Sequence, residues 1–246
     1  MFRDYDFLDR FSVAADAGFS GVEILFSYEF EADKMGALLD LNQLKLCLIN
    51  LFLGAWDKGE RGFGALPHKR EAFYNSVDLA LKYARDMDAA AVHMMAGIAA
   101  PNDQNRRCYI DNAGYAADLV GEVGKTLFLE PISEPTISGY FLNSTWQAAH
   151  LIDEIAHPAV KLQLDISHHE ITHGDVLNAI TRLFDRIGHM QISGVPDRHA
   201  PDICYLDYRA IQSHINSLEY EGWIGCEYLP IDVTKEGLSW ITPYQS

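Results

Sequence analysis

The amino-acid sequence predicts an α/β fold, a TIM-type (β/α) barrel with seven recognisable strands and an apparently missing first one. Three observations predict it. Short apolar runs alternate with longer amphipathic segments along the chain. The runs are continuously apolar rather than alternating, as in parallel strands covered on both faces. The length, 246 residues, is the usual size of one such barrel. No Pro/Gly-rich linker, low-complexity stretch or shift in composition divides the chain, so residues 1–246 read as one domain.

The strand-like runs fall at residues 21–26, 45–50, 90–96, 126–131, 160–166, 187–193 and 224–228. Helical patterns lie between them. Over 71–87 the apolar positions Phe73, Val77, Ala80, Leu81 and Ala84 are three or four apart, which predicts a helix with one buried stripe. Ser144 is placed to cap a helix carrying Ala148, Ile152 and Ile155, closed off by Pro158. Asp207 opens another, with Ile211, Ile215 and Leu218 on one stripe. Strand then helix, repeated, means βαβ units and a parallel sheet. Ahead of the first run, Phe7, Phe11, Ala14 and Ala15 form a helical stripe ending at Gly18. An eight-stranded barrel needs one more strand before Asp4, and three residues do not supply it. An open strand edge is expected there, and such an edge invites association into a homo-oligomer.

Composition narrows the function. Hydrophobic residues make up 48% and charged residues 22%, ordinary for a globular enzyme. Net charge is -16, from 19 basic and 35 acidic residues, which repels phosphate backbones and argues against nucleic acid as partner. Cys47, Cys108, Cys204 and Cys226 form no CxxC pair, so a reducing compartment without disulfides is expected. The segment MFRDYDFLDRF has no apolar signal core, and no run nears the roughly 20 residues that cross a bilayer. A cytoplasmic location is expected, and the sequon at Asn143 reads better as a helix start.

In a parallel barrel, reactive groups sit at the C-terminal ends of the strands. The run TLFLEP ends at Glu130, and KLQLDISH ends at Asp165 with His168 just beyond. GHMQIS carries Gln191, and WIGCEY carries Glu227. Each polar side chain interrupts an apolar strand, where burial without a partner costs a few kcal/mol. Taken singly, each reads equally well as a satisfied core group or a structural ion pair. Four on consecutive strands are explained if they converge. Two glutamates, an aspartate and an amide oxygen make a hard, oxygen-rich set suited to Mg²⁺ or Mn²⁺.

The motifs AGFSGVEILFSY, GERG at 59–62, VHMMAG at 92–97, LEPIS, QLDISHHE, HMQISGVPDRH and GWIGCEYLP carry a family resemblance. From about Tyr5 to Trp240 the chain resembles the hydroxypyruvate isomerase family of xylose isomerase-like TIM barrels, particularly its 2-oxo-tetronate isomerase branch. The resemblance implies that Glu130, Asp165, Gln191 and Glu227 bind a divalent metal, Mg²⁺ or Mn²⁺, and that the two glutamates also move the proton. It implies substrate contacts at His168 and Arg198, with His93 and Glu60 as weaker ones. The implied substrate is a small sugar acid, hydroxypyruvate or a 2-oxo-tetronate. Its isomerisation removes a proton beside a carbonyl and returns it to the neighbouring carbon through an enediolate. Arg198 can clamp a substrate carboxylate with two prongs, and His168 can donate to an oxygen. Arg198 also reads as a surface cation, and His93 as a buried imidazole satisfied by its neighbours. The chain departs from the family pattern at the first strand, over Cys204, Tyr205, Leu206, Asp207 and Tyr208, and at Leu229, where relatives often carry lysine.

Competing readings remain. His169, Glu170, Ile171, Thr172 and His173 match the HExxH motif of zinc peptidases, which needs a helix and a third ligand. The segment starts four residues after Asp165 and runs into Gly174, so it is expected in a strand-to-helix loop. Abasic-site endonucleases of the same fold class use more histidine ligands and a basic groove. Ketose 3-epimerases have a metal-binding histidine where this chain has Gln191. A degenerate, non-catalytic barrel is the reading that the missing strand favours.

Overall fold

The computed structural model describes residues 1–246 except Phe26, Ser27, Asp232, Glu236, Ser239 and residues 242–246. Seven strands form one sheet: β1 (Gly21–Ile24), β2 (Lys45–Asn50), β3 (Ala91–His93), β4 (Thr126–Leu129), β5 (Val160–Asp165), β6 (Ile187–Ile192) and β7 (Ile224–Cys226). Their order in space is their order in the chain, and every neighbouring pair is parallel. The helices α1 (Arg10–Asp16), α2 (Ala32–Leu41), α3 (Arg70–Asp86), α4 (Asp103–Glu122), α5 (Thr145–Ile155), α6 (Ile166–His173), α7 (Val176–Leu183) and α8 (Tyr208–Ser217) surround it. The result is a nearly closed barrel, open between β1 and β7, where no ladder joins the strands among the described residues.

Each expected strand is present; β2 spans its whole apolar run, and the other six are shorter than theirs. Pairing stops at His93, Leu129 and Cys226, so Glu130 and Glu227 stand just past the ladder. Phe26, expected as the last residue of the first run, lies outside the described residues. The helix signals act as read. Ser144 accepts from the Gln147 amide at the start of α5, and Asp207 accepts from the Arg209 and Ala210 amides at the start of α8. The stripe of Phe73, Val77, Ala80, Leu81 and Ala84 on α3 is buried.

One expectation is corrected. The segment from His169 to His173 is not a loop but the body of α6. The reason is local: the Asp165 carboxylate accepts from the Ser167 and His168 amides, so a helix starts directly at the end of β5 with no connecting loop. Gly174, at φ +68°, ends it.

Alternation along the strands separates two interiors. Ile49, Val92, Leu127, Leu129, Leu162 and Leu164 belong to the large core between sheet and helices. Leu48, Ala91 and Phe128 form a small apolar floor of their own. Two residues further along β2, β3 and β4 come Asn50, His93 and Glu130, so the barrel is apolar at its floor and polar above it. A third cluster, with Phe2, Val13, Ala14, Tyr228 and Trp240, packs the two ends of the chain together beside the open seam. No helix among the described residues is long and apolar enough to cross a membrane.

The α3 stripe generates a stability prediction. Phe73 is fully buried, and Phe73→Ala is expected to cost about 3–5 kcal/mol in urea unfolding. A loss under 1 kcal/mol would contradict the packing described.

Candidate active site

The strand ends bring most of the expected residues together. Glu130 follows β4 directly and precedes Pro131, which holds it extended. Asp165 ends β5, Gln191 lies one residue before the end of β6, and Glu227 follows β7, its amide donating to Ile192 O. His168 stands on the first turn of α6. Ligand atoms of Glu130, Asp165 and His168 lie within 4.8 Å of one another.

Arg198 ties this cluster together. Its Nη1 donates to Asp165 Oδ2 at 2.9 Å and to Ser167 Oγ at 3.1 Å, and its Nη2 donates to Glu227 Oε2 at 3.2 Å. The residue adopts φ +57°, a left-handed backbone that costs a non-glycine residue about 1–2 kcal/mol. Pairing with two carboxylates offsets that cost. The expected substrate clamp is therefore engaged by the chain's own carboxylates. Nη1 also donates to His168 Nε2 at 3.0 Å. The other ring nitrogen of His168, Nδ1, is bonded to Ser133 Oγ at 3.0 Å. His168, expected as a substrate contact, has both ring nitrogens engaged, by Arg198 and by Ser133.

The electrostatics sort the carboxylates. Burial raises the Glu130 carboxyl well above its ordinary value, helped by the Glu227 and Asp165 charges and opposed by Arg198. Burial also pushes Glu227 up to about 7, against Arg198 and with Asp165 and Glu23. Asp165 goes the other way. Burial would raise it, but Arg198, His168 and the Ser167 hydroxyl outweigh that and hold it well below the usual carboxylate range. Burial lowers His168 to about 4 and His93 to about 3, so both rings are neutral at neutral pH.

His93 bonds Asn50 Oδ1 through Nδ1 at 3.1 Å, and its Nε2 faces Glu130 Oε2 at 3.5 Å without a hydrogen bond. Glu60 stands elsewhere, its carboxylate held by the Ala55 amide at 2.7 Å and Lys69 Nζ at 2.9 Å. The HExxH histidines also have other partners. His169 bonds Thr145 Oγ1 and Gly174 O, and His173 bonds Ser144 Oγ. Glu170 accepts from the hydroxyl of Tyr205. The helix that the motif needs is present, but both nitrogens of His169 and Nε2 of His173 already have partners.

A family model described as "Xylose isomerase-like TIM barrel" matches residues 11–244. The chain belongs to this family. A protein named 2-oxo-tetronate isomerase, from Cupriavidus necator, is 40% identical over 99% of this chain and 95% of its own. One named hydroxypyruvate isomerase, from Escherichia coli, is 36% identical over 100% and 96%. A crystal structure from Brucella melitensis, described as an AP endonuclease of family 2, superposes with a TM-score of 0.97 at 39% identity, covering 100% of this chain and 96% of its own.

Whether this xylose isomerase-like barrel is built for a cation can be judged from its own side chains. Among the described residues no hydrogen bond reaches the Glu130 carboxylate, and its neighbour His93 Nε2 is an orphaned buried nitrogen. A buried carboxylate in that position is strongly destabilised unless it is protonated or compensated. A divalent ion held by Glu130, Asp165 and His168, with Gln191 and Glu227 alongside, would supply that compensation. The residues fit.

Several members of the site were not found in the sequence: Glu23, Asn50, Ser133, Gln163, Ser167 and His189. Glu23 accepts from His189 Nε2 and Gln191 Nε2, and Gln163 donates to Gln191 Oε1. Glu23 and Asn50 interrupt apolar runs in β1 and β2 just as Glu130 does in β4, and that signal was available.

His169 supplies a pH prediction. Burial, with His173 adding, lowers it to about 4 from the ordinary 6.5, against the pull of Gly174 O. Its folded value lies below its unfolded value, so its contribution is present above 6.5 and is lost as pH falls toward 4. An NMR titration of the ring should show a midpoint near 4. A midpoint near 6.5 would mean the ring is not held between Thr145 and Gly174.

Proposed function

We propose that the chain is a divalent-metal-dependent isomerase of a small 2-oxo acid, hydroxypyruvate or a 2-oxo-tetronate, working through an enediolate. The observation that carries this reading is the pair Glu130 and Glu227. Two carboxyls with raised values stand at the ends of β4 and β7 around one Asp165–Arg198 ion pair. Full-length relatives named as isomerases of these acids support it.

The chemistry suits the side chains. One glutamate takes the proton from the carbon beside the carbonyl, and the electron pair forms the enediolate. A proton returned to the former carbonyl carbon, together with transfer of the hydroxyl proton to the former carbonyl oxygen, completes the shift of the carbonyl by one position. Glu227, near 7, can gain and lose a proton at neutral pH, as a transfer group must. A bound Mg²⁺ or Mn²⁺ supplies charge stabilisation for the developing oxyanion. Arg198 keeps Asp165 ionised and holds the backbone and carboxylate of Glu227 in place. Exchanging these partners for a substrate carboxylate is the step by which Arg198 would also bind the acid.

The endonuclease description of the Brucella melitensis structure suggests nucleic acid instead. A net charge of -16 and a buried cluster with one histidine give a phosphate backbone little to bind. The isomerase names of the full-length relatives also favour isomerisation over epimerisation.

The test is incubation with Mg²⁺ or Mn²⁺ in D₂O, following hydroxypyruvate and 2-oxo-tetronates by proton NMR. Metal-dependent conversion with deuterium uptake is expected. Glu130→Gln and Glu227→Gln should each lower the rate by about 10²–10⁴-fold. Glu170→Gln should leave it unchanged. Absence of conversion and of deuterium uptake in a folded, metal-loaded protein would overturn the proposal.

A further inference from the structure

Glu23 belongs to β1, at the open edge of the barrel, yet its carboxylate reaches past β7 to β6. Oε1 accepts from His189 Nε2 at 2.6 Å, and Oε2 accepts from Gln191 Nε2 at 2.7 Å. The crossing depends on Gly225 in β7: a Cβ there would collide with Glu23 Oε1. The contact is thus built into both sides of the seam.

A carboxylate accepts and does not donate. Glu23 therefore selects the ring nitrogen of His189 that carries a proton, and selects the end of the Gln191 amide that faces β1. Gln191 Oε1 is turned the other way, where it accepts from Gln163 Nε2 at 2.7 Å. The donors run in one direction, and the row ends at Gln163 Oε1, which is buried and has no hydrogen-bond partner among the described residues. Flipping Gln191 would set its oxygen against the Glu23 carboxylate and its NH₂ against that of Gln163. Both contacts are repulsive, so the row holds as a unit.

We propose that Glu23 is a positioning residue of the site: it fixes the Gln191 amide with its oxygen turned away from β1, available as a neutral donor to the cation, and it fixes His189 with its proton on Nε2. The inference rests on the metal-dependent reading above. Glutamine at position 23 can either donate or accept, so Glu23→Gln frees both choices. Glu23→Asp keeps the acceptor-only character but withdraws it by one methylene.

The experiment has two readouts. Nitrogen-15 NMR of the His189 ring, without added metal, is expected to show Nε2 protonated in the parent and in Glu23→Asp, and a shifted or mixed pattern in Glu23→Gln. Calorimetric titration with Mn²⁺ is expected to show affinity lowered about 10–100-fold in Glu23→Gln, the usual cost of losing such an orienting partner, and less in Glu23→Asp. A folded Glu23→Gln protein with the parent's ring pattern and the parent's Mn²⁺ affinity overturns the proposal. If Glu23→Gln does not fold, unchanged Mn²⁺ affinity in Glu23→Asp overturns it. A parent protein that binds no Mn²⁺ defeats the metal reading and the donor role of Gln191 with it. The His189 pattern then still decides whether Glu23 sets the orientation.

Discussion

The structure turns on a shortage of positive charge inside the barrel. Glu23, Glu130, Asp165 and Glu227 all reach the interior, and the guanidinium of Arg198 bridges only Asp165 and Glu227. Glu23 is satisfied by neutral donors from β6. Glu130 is left facing a neutral histidine. Removing a carboxylate from water without a partner costs several kcal/mol, and a protein retains such an arrangement where something else completes it. Burial raises Glu130 and Glu227, while Arg198, His168 and the Ser167 hydroxyl hold Asp165 down against its own burial.

The barrel's opening and its chemistry are connected through the same residues. Between β1 and β7 lies a cavity of about 280 Å³ whose lining includes Phe7, Phe11, Trp223, Glu23 and Glu227. No backbone ladder spans it among the described residues. The Glu23 side chain spans it instead, through the space that Gly225 leaves. Packing of Phe2 and Val13 against Tyr228 and Trp240 holds the two ends of the chain together beside it. Because the Glu23 carboxylate crosses the seam to Gln191, the seam and the orientation of that amide are coupled.

Much of this was legible in the sequence, because parallel strands buried on both faces leave continuous apolar runs, and a charged residue in such a run needs a reason. Glu130, Asp165, Gln191 and Glu227 were found that way, and Ser144 and Asp207 were found as helix caps. The α6 helix was missed because Asp165 is strand end, helix cap and cluster member at once, which removes the loop that a sequence reader inserts between strand and helix. Arg198 was read as free to meet substrate; its ion pairs depend on a left-handed residue in the loop after β6, which no local pattern announces. The partners of the His168 ring, Arg198 and Ser133, lie 30 and 35 residues away in the chain. Glu23 interrupts the apolar run of β1 as Glu130 does that of β4, so its signal is present in the sequence.

On the proposed reading, the Glu130, Asp165 and His168 cluster is a cation site rather than a self-contained ion-pair network. The most direct measurement is anomalous diffraction from crystals grown with Mn²⁺. The account predicts a manganese peak in coordination contact with Glu130 and Asp165, with Arg198 displaced from at least one of its carboxylates or shared with the ion. A fully ordered Arg198 bridge with no peak at Glu130, or a peak at His169 and His173 instead, would contradict it.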